Sequence, residues 1–184
     1  LHWHGSVDLT CRNKQELKIS SMTNSKTNIE LSFKGISQEM FNEIYDQETK
    51  SLLTNSEPWE KEISIWIRRI KEDLSLTCHR KVRTSSSLSL GLTLTDDLNI
   101  KNLNKIWRNK SEATDVLSFP VFDEITFVPK GECLELGDIV VSVQTAKRQA
   151  TEHTQLLSEE LRWLVSHGLL HLLGWEHPDE KTLQ

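Results

Sequence analysis

His167-Gly168-Leu169-Leu170-His171-Leu172-Leu173-Gly174-Trp175-Glu176-His177 is the stretch from which the rest of this 184-residue chain can be read. It continues a helical pattern. Leu161, Leu164, Val165, Gly168 and Leu172 fall on one face, Ser158 stands where a cap belongs, and Glu159 and Glu160 complement the dipole in the first turn. His167 and His171 are four residues apart, so both imidazoles project from one side of the helix, at the edge of its buried face. Gly174 lets the chain leave the helix and turn back, bringing His177 toward the pair. Three neutral imidazoles with a fourth position open form the ligand set of a catalytic zinc site. The expectation is one Zn2+ per chain on His167, His171 and His177. The other four histidines, His2, His4, His79 and His153, read as surface or satisfied core residues.

The spacing is similar to that of the metzincin peptidases, H-E-x-x-H-x-x-G-x-x-H. The histidines and the glycine coincide, but Gly168 occupies the position of the glutamate that serves those enzymes as general base. The pattern therefore supports a metal hydrolase and argues against an ordinary metallopeptidase.

Three blocks in order carry a second resemblance. The stretch from His167 to His177 resembles the H-G-x-L-H-L-x-G-[YFW]-[DE]-H signature of the YbeY family, zinc-dependent endoribonucleases and 16S rRNA maturation factors. Trp107-Arg108-Asn109-Lys110 followed by Ala113-Thr114-Asp115-Val116-Leu117-Ser118-Phe119-Pro120 is similar to that family's arginine block and its T-[DN]-V-L-S-F-P run. Leu136-Gly137-Asp138-Ile139-Val140-Val141-Ser142 resembles its L-G-D-I-x-I-S strand. The motifs cover about residues 85–180, and residues 29–84 only through their helix and strand pattern. The chain departs from the family at Asn109, where glycine is usual, and in stopping at Gln184. It opens on Leu1 rather than Met, so trimming at both ends is an expectation.

Outward from the histidine helix, Ile29–Phe33 alternates as a first strand ending at Gly35. Gln38–Leu53 has helical spacing at Phe41, Ile44, Tyr45, Glu48 and Leu52. Ser56-Glu57-Pro58 starts a second helix with an apolar stripe from Trp59 through Ile63, Trp66, Ile67 and Ile70 to Leu74. Both of its tryptophans read as core. Ser87–Thr95 is the clearest strand, with Leu88, Leu90, Leu92 and Leu94 on one face. Asp96-Asp97 opens a helix through Leu98, Ile100, Leu103, Ile106 and Trp107. Val116–Val121 reads as a strand, 123–135 as a loop, Asp138–Val143 as a strand buried on both faces, and Gln144–His153 as a helix. The order β-α-α-β-α-β-β-α-α gives an α+β fold: a small mixed β-sheet with packed helices and a zincin-like metal site on the C-terminal helix and following turn.

The length suits one domain, residues 29–184, after a poorly ordered Ser/Thr/Asn/Lys-rich lead-in over 1–28. No apolar run approaches the roughly 18–20 residues of a membrane span, so no membrane partner is expected. The N-terminus lacks the apolar segment of a secretory signal. Three scattered cysteines, Cys11, Cys78 and Cys133, fit a reducing compartment. The expected location is the cytoplasm, or a plastid if the N-terminus is the remnant of a transit peptide. The net charge of −5 counts against a nucleic-acid binder, though Arg108, Lys110, Lys147, Arg148 and Arg162 cluster near the motifs. Each of these cations also reads as a solvated helix face.

Arg108 reads two ways from the residues: a helix-end cation on the dipole, or a guanidinium that meets charge developing on a phosphate. The resemblance implies the catalytic role. Asp138 either orients a ligand imidazole or ends a turn. The resemblance implies a metal-dependent, single-strand-specific endoribonuclease acting in 16S rRNA 3′-end maturation, ribosome biogenesis and ribosome quality control. Its partners would be single-stranded RNA, the small ribosomal subunit and associated proteins. The competing reading is a ribosome-assembly RNA-binding factor whose metal site is mainly structural. Structural zinc is normally closed by a fourth protein ligand, and none stands within the motif, which favours the open site.

Overall fold

The computed structural model describes residues 27–36, 46–73, 80–121 and 132–175. The elements run β1 (Asn28–Lys34), α1 (Gln47–Thr54), α2 (Glu57–Glu72), α3 (Arg80–Thr84), β2 (Ser87–Thr95), α4 (Asp97–Arg108), β3 (Val116–Pro120), β4 (Leu134–Ser142), α5 (Val143–Glu152) and α6 (Leu157–Leu172). The strands form one sheet in the order β1-β2-β4-β3. β1, β2 and β4 are parallel, and β3 pairs antiparallel with β4 at the edge. The expected mixed α+β architecture is present, with the short α3 added to the expected order.

Strand alternation decides which helix meets which face. Leu88, Leu90, Leu92 and Leu94 of β2 are buried on one face, with Ile139 and Val141 of β4 beside them. The main core forms there, against Leu52 and Leu53 of α1, Trp59, Ile63 and Ile67 of α2, and Leu161, Leu164, Val165, Leu169 and Leu172 of α6. Trp66 is half-buried and packs on the same cluster. The opposite face carries a smaller cluster in which Ile100 of α4 covers Leu117 and Val140, neighbours across the β3–β4 pairing. β4 is thus buried on both faces over Ile139–Ser142, while Asp138 is exposed.

Several boundaries differ from the sequence reading. β4 begins at Leu134, inside the expected loop, and Val143 already belongs to α5, which Ser142 caps by accepting from the Thr145 N–H. Ser158 does not cap α6. Leu156 is the cap residue, its N–H donates to Glu159 Oε2, and Ser158 is buried two residues further in. Glu159 and Glu160 both fall in the first turn, as expected, and Glu160 is also buried and receives a hydrogen bond from Gln155. The first part of the expected 38–53 helix, most of the 1–28 lead-in and Leu74 lie outside the described residues; β1 already includes Asn28.

Candidate metal centre

Helix α6 holds the histidine pair as its spacing requires. His167 and His171 are both half-buried, with ring centroids 4.7 Å apart and planes at 80°. Their Nε2 atoms converge to 3.1 Å. Two nitrogens bound tetrahedrally at zinc distances of 2.0–2.1 Å stand about 3.3–3.4 Å apart. The donor pair therefore fits one metal ion with little side-chain movement.

Two glycines set this geometry. At Gly168 an added Cβ would stand 2.8 Å from Ile139 Cγ2 and 3.1 Å from Ser118 Oγ. The bare Cα lets α6 lie close on β3 and β4, and Ser118 Oγ donates to the Gly168 carbonyl at 3.3 Å. The residue between the two histidines thus faces the sheet, so a glutamate there would meet the core. Gly174 has φ 89°. Trp175 N–H donates to the Leu170 carbonyl and Gly174 N–H to that of His171, both at 3.0 Å, the paired bonds of a Schellman stop. The helix ends where the sequence says it should, one residue before the chain can reverse. His177 and Glu176 lie outside the described residues. Among the described residues no group of three His, Cys, Asp or Glu side chains could hold a metal, and the described part of the expected ligand set is His167 and His171.

Arg108 ends α4 and is exposed. α4 lies on the sheet face opposite α6, and the two helices meet the same edge strand from either side. Trp107 packs on Phe119, centroids 5.7 Å apart, while α6 packs on the adjacent Ser118. Asn109 follows Arg108 with φ 57° and ψ 29°. That left-handed position explains the departure from glycine, since asparagine is the side chain that tolerates it best. Buried Asn104 donates to the Glu112 carbonyl, and its own carbonyl accepts from Lys110 N–H, which pins the turn. Asp115 is local structure: its carboxylate accepts from Thr114 Oγ1, Val116 N–H and Gln149.

Other candidates are placed elsewhere. Asp138 pairs with Phe119 on the α4 face, and its Oδ1 would lie 1.9 Å from a Cβ on Gly91. It points away from the histidine helix, so it does not orient either imidazole. Arg162 is bound to Glu48 at 2.6 Å and Glu62 at 2.9 Å, tying α6 to α1 and α2. Burial works to lower its pKa, but the two carboxylates outweigh that and hold it above its ordinary value. Arg148 pairs with Asp97. Neither arginine is a simple solvated cation. Trp163 was missed by the sequence reading. It stacks flat on His167, centroids 5.4 Å apart and planes at 9°, and is 57% exposed. An aromatic four residues ahead of His167 was the available signal.

A family model described as Endoribonuclease YbeY matches residues 43–184. This chain belongs to the YbeY endoribonuclease family. A protein named endoribonuclease YbeY from Prochlorococcus marinus (strain MIT 9313) is 49% identical over 168 residues, 90% of each chain. One of the same name from Synechococcus sp. (strain CC9311) is 50% identical over 155 residues, 84% of this chain and 88% of its own. A solution structure of a Thermotoga maritima protein is similar at TM-score 0.46 and 22% identity, covering 83% of this chain and 77% of that one. The YbeY match spans all three motif blocks, including the segment that carries His177.

Proposed function

We propose that this chain is a zinc-dependent endoribonuclease that cleaves single-stranded RNA and acts on the 3′ end of 16S rRNA as the small ribosomal subunit matures. Its relatives are named for endoribonuclease activity. The observation that carries the reading to this chain is the 3.1 Å convergence of His167 and His171 Nε2 on a helix that Gly168 seats against the edge strand. With His177 the set would hold one Zn2+ per chain and leave a position open. When bound, zinc supplies Lewis-acid stabilisation of negative charge and makes water acidic enough to react near neutral pH.

The chain's own residues do the rest. Trp163 fixes the plane of His167, and Gly168 fixes the height of the helix above the sheet. Arg108, at the same sheet edge, would meet the non-bridging oxygens of the scissile phosphate with a planar, permanently charged fork. It forms no ion pair among the described residues, so its charge is not spent on a fixed carboxylate there. The position that carries the base in metzincins is filled by a packing glycine, which supports phosphodiester over peptide chemistry. The same proposal takes the small subunit and its associated proteins as partners, with ribosome quality control among its tasks, and the cytoplasm as location. Among the described residues, no helix is long and apolar enough to cross a membrane.

The test is zinc analysis of the purified protein with cleavage of single-stranded and duplex RNA, with and without chelator. Chelator-sensitive cutting of the single strand alone is expected, followed by trimming of an rRNA precursor with an extended 3′ end. Cleavage that persists after zinc is removed would sink the metal-dependent reading.

A further inference from the structure

We infer that Trp163 is a stacking platform for one nucleobase of the bound RNA strand, seated beside the histidine pair. The inference rests on the endoribonuclease reading above. It begins with what Trp163 does not do. The core face of α6 is made by Leu161, Leu164, Val165, Leu169 and Leu172. Trp163 stands off that face with 57% of its surface exposed, so it contributes little to the core. One indole face lies flat on His167. Among the described residues its second face has no aromatic partner. Trp107, the other strongly exposed tryptophan among the described residues, differs: its ring is tilted at 59° on Phe119, on the far side of the sheet.

A base laid on the outer indole face would sit roughly 3.5–4 Å beyond it, at ordinary van der Waals contact. The stack would then run imidazole, indole, base. The phosphate of that nucleotide or its neighbour could reach back past the indole to the histidine nitrogens. Every base has a π-face, so such a platform binds without reading sequence. It also discriminates by strandedness. A base in a duplex is already stacked and paired, and gains nothing from the indole without being pulled out, whereas an unpaired base gains a full contact. Trp163 would thereby supply part of the single-strand preference from the ligand helix itself.

The competing role is positional: the indole only holds the His167 ring. The two separate by experiment on the zinc-loaded full chain. Binding of a labelled single-stranded oligodeoxyadenylate is measured by anisotropy for wild type, Trp163→Ala and Trp163→Phe, with zinc content determined for each. The measurement is repeated with an abasic residue placed at each position in turn. Trp163→Ala should bind about tenfold more weakly or worse, and Trp163→Phe within a few-fold of wild type. At one position the abasic residue should weaken wild type by a similar factor and leave Trp163→Ala nearly unchanged. Equal binding by Trp163→Ala, or loss of zinc with no abasic position coupled to Trp163, overturns the platform. RNA cleavage by wild type is read alongside. If wild type cuts single-stranded RNA while Trp163→Ala binds as it does, the platform alone fails. If wild type neither binds nor cuts, the endoribonuclease reading fails and the platform with it.

Discussion

Gly168 sits so close to Ile139 that a single added methyl would stand 2.8 Å from its Cγ2. That contact joins α6 to β4, and it explains why the residue between His167 and His171 carries no side chain. Ser118 Oγ, 3.1 Å from the same point, closes the other side.

Gly168→Glu should therefore destabilise the protein and confer no peptidase activity. Overpacking a well-filled core costs about 1–3 kcal/mol even for modest groups, and a carboxylate adds a buried charge. For Gly168→Ala the gain in helix propensity of about 1 kcal/mol offsets part of the strain. Urea unfolding of both variants, with a casein assay on the folded fraction, checks the order. Wild-type stability in Gly168→Glu would mean that the helix is not seated as described.

His171→Ala should lose bound zinc. The substitution removes one of the two nitrogens that converge to 3.1 Å and leaves two of the three proposed ligands, too few to close a site. Dialysis against a defined zinc buffer followed by metal analysis measures the loss, expected at tenfold or more in affinity. Full occupancy in the variant would remove His171 from the ligand set.

Much of this site was legible because its signals are local. The four-residue spacing of His167 and His171 and the stop at Gly174 depend only on the α-helix, and the alternation of Leu88 to Leu94 only on the strand. What escaped depends on partners distant in sequence. Arg162 reads as a free cation until α1 and α2 bring Glu48 and Glu62 to it, 114 and 100 residues away. Asp138 could serve the imidazoles until the β3–β4 register places it opposite Phe119, on the wrong face. Ser158 followed by two acids has the composition of a helix start. The true start lies earlier because Glu159 captures the Leu156 N–H.

Stability should fall on acidification partly through Asp97. Its carboxylate accepts from Arg148 and Thr145 at 2.8 and 2.7 Å and from Ser142, tying the start of α4 to α5. Burial raises its pKa, but hydrogen bonds from Arg148, Ser142 and Thr145 outweigh that and hold it below the ordinary carboxylate value. A depressed folded pKa means that the contribution is complete above the unfolded value of about 3.9 and is lost as pH falls through the folded one. Asp97→Asn should cost on the order of 1–2 kcal/mol at pH 7, since the pair is partly solvent-screened. The gap from wild type should shrink below pH about 4. Unfolding midpoints at pH 7 and pH 3 decide it; a gap that widens in acid would reverse the sign assigned here.

Arg108→Ala should reduce RNA cleavage by about a hundredfold while leaving zinc content and fold intact. The side chain is exposed at the end of α4 and belongs to no apolar cluster, so its removal opens no cavity. The turn after it is held by Asn104 and by the left-handed Asn109, neither of which needs the guanidinium. Its work would be electrostatic, meeting charge that grows on a phosphate oxygen in the transition state. Losing one preorganised donor of that kind typically costs about 3 kcal/mol or more. Arg108→Lys should rescue poorly, because an ammonium offers a point charge in place of a planar fork. A helix-end charge on the dipole predicts the opposite pattern: lysine would serve as well as arginine, and alanine would cost only about 0.3–1 kcal/mol of stability with no loss of rate. Cleavage time courses for the three proteins, with zinc and thermal midpoint measured in each, separate the two. A wild-type rate in Arg108→Ala returns the arginine to its helix end. Loss of zinc or of fold makes it structural.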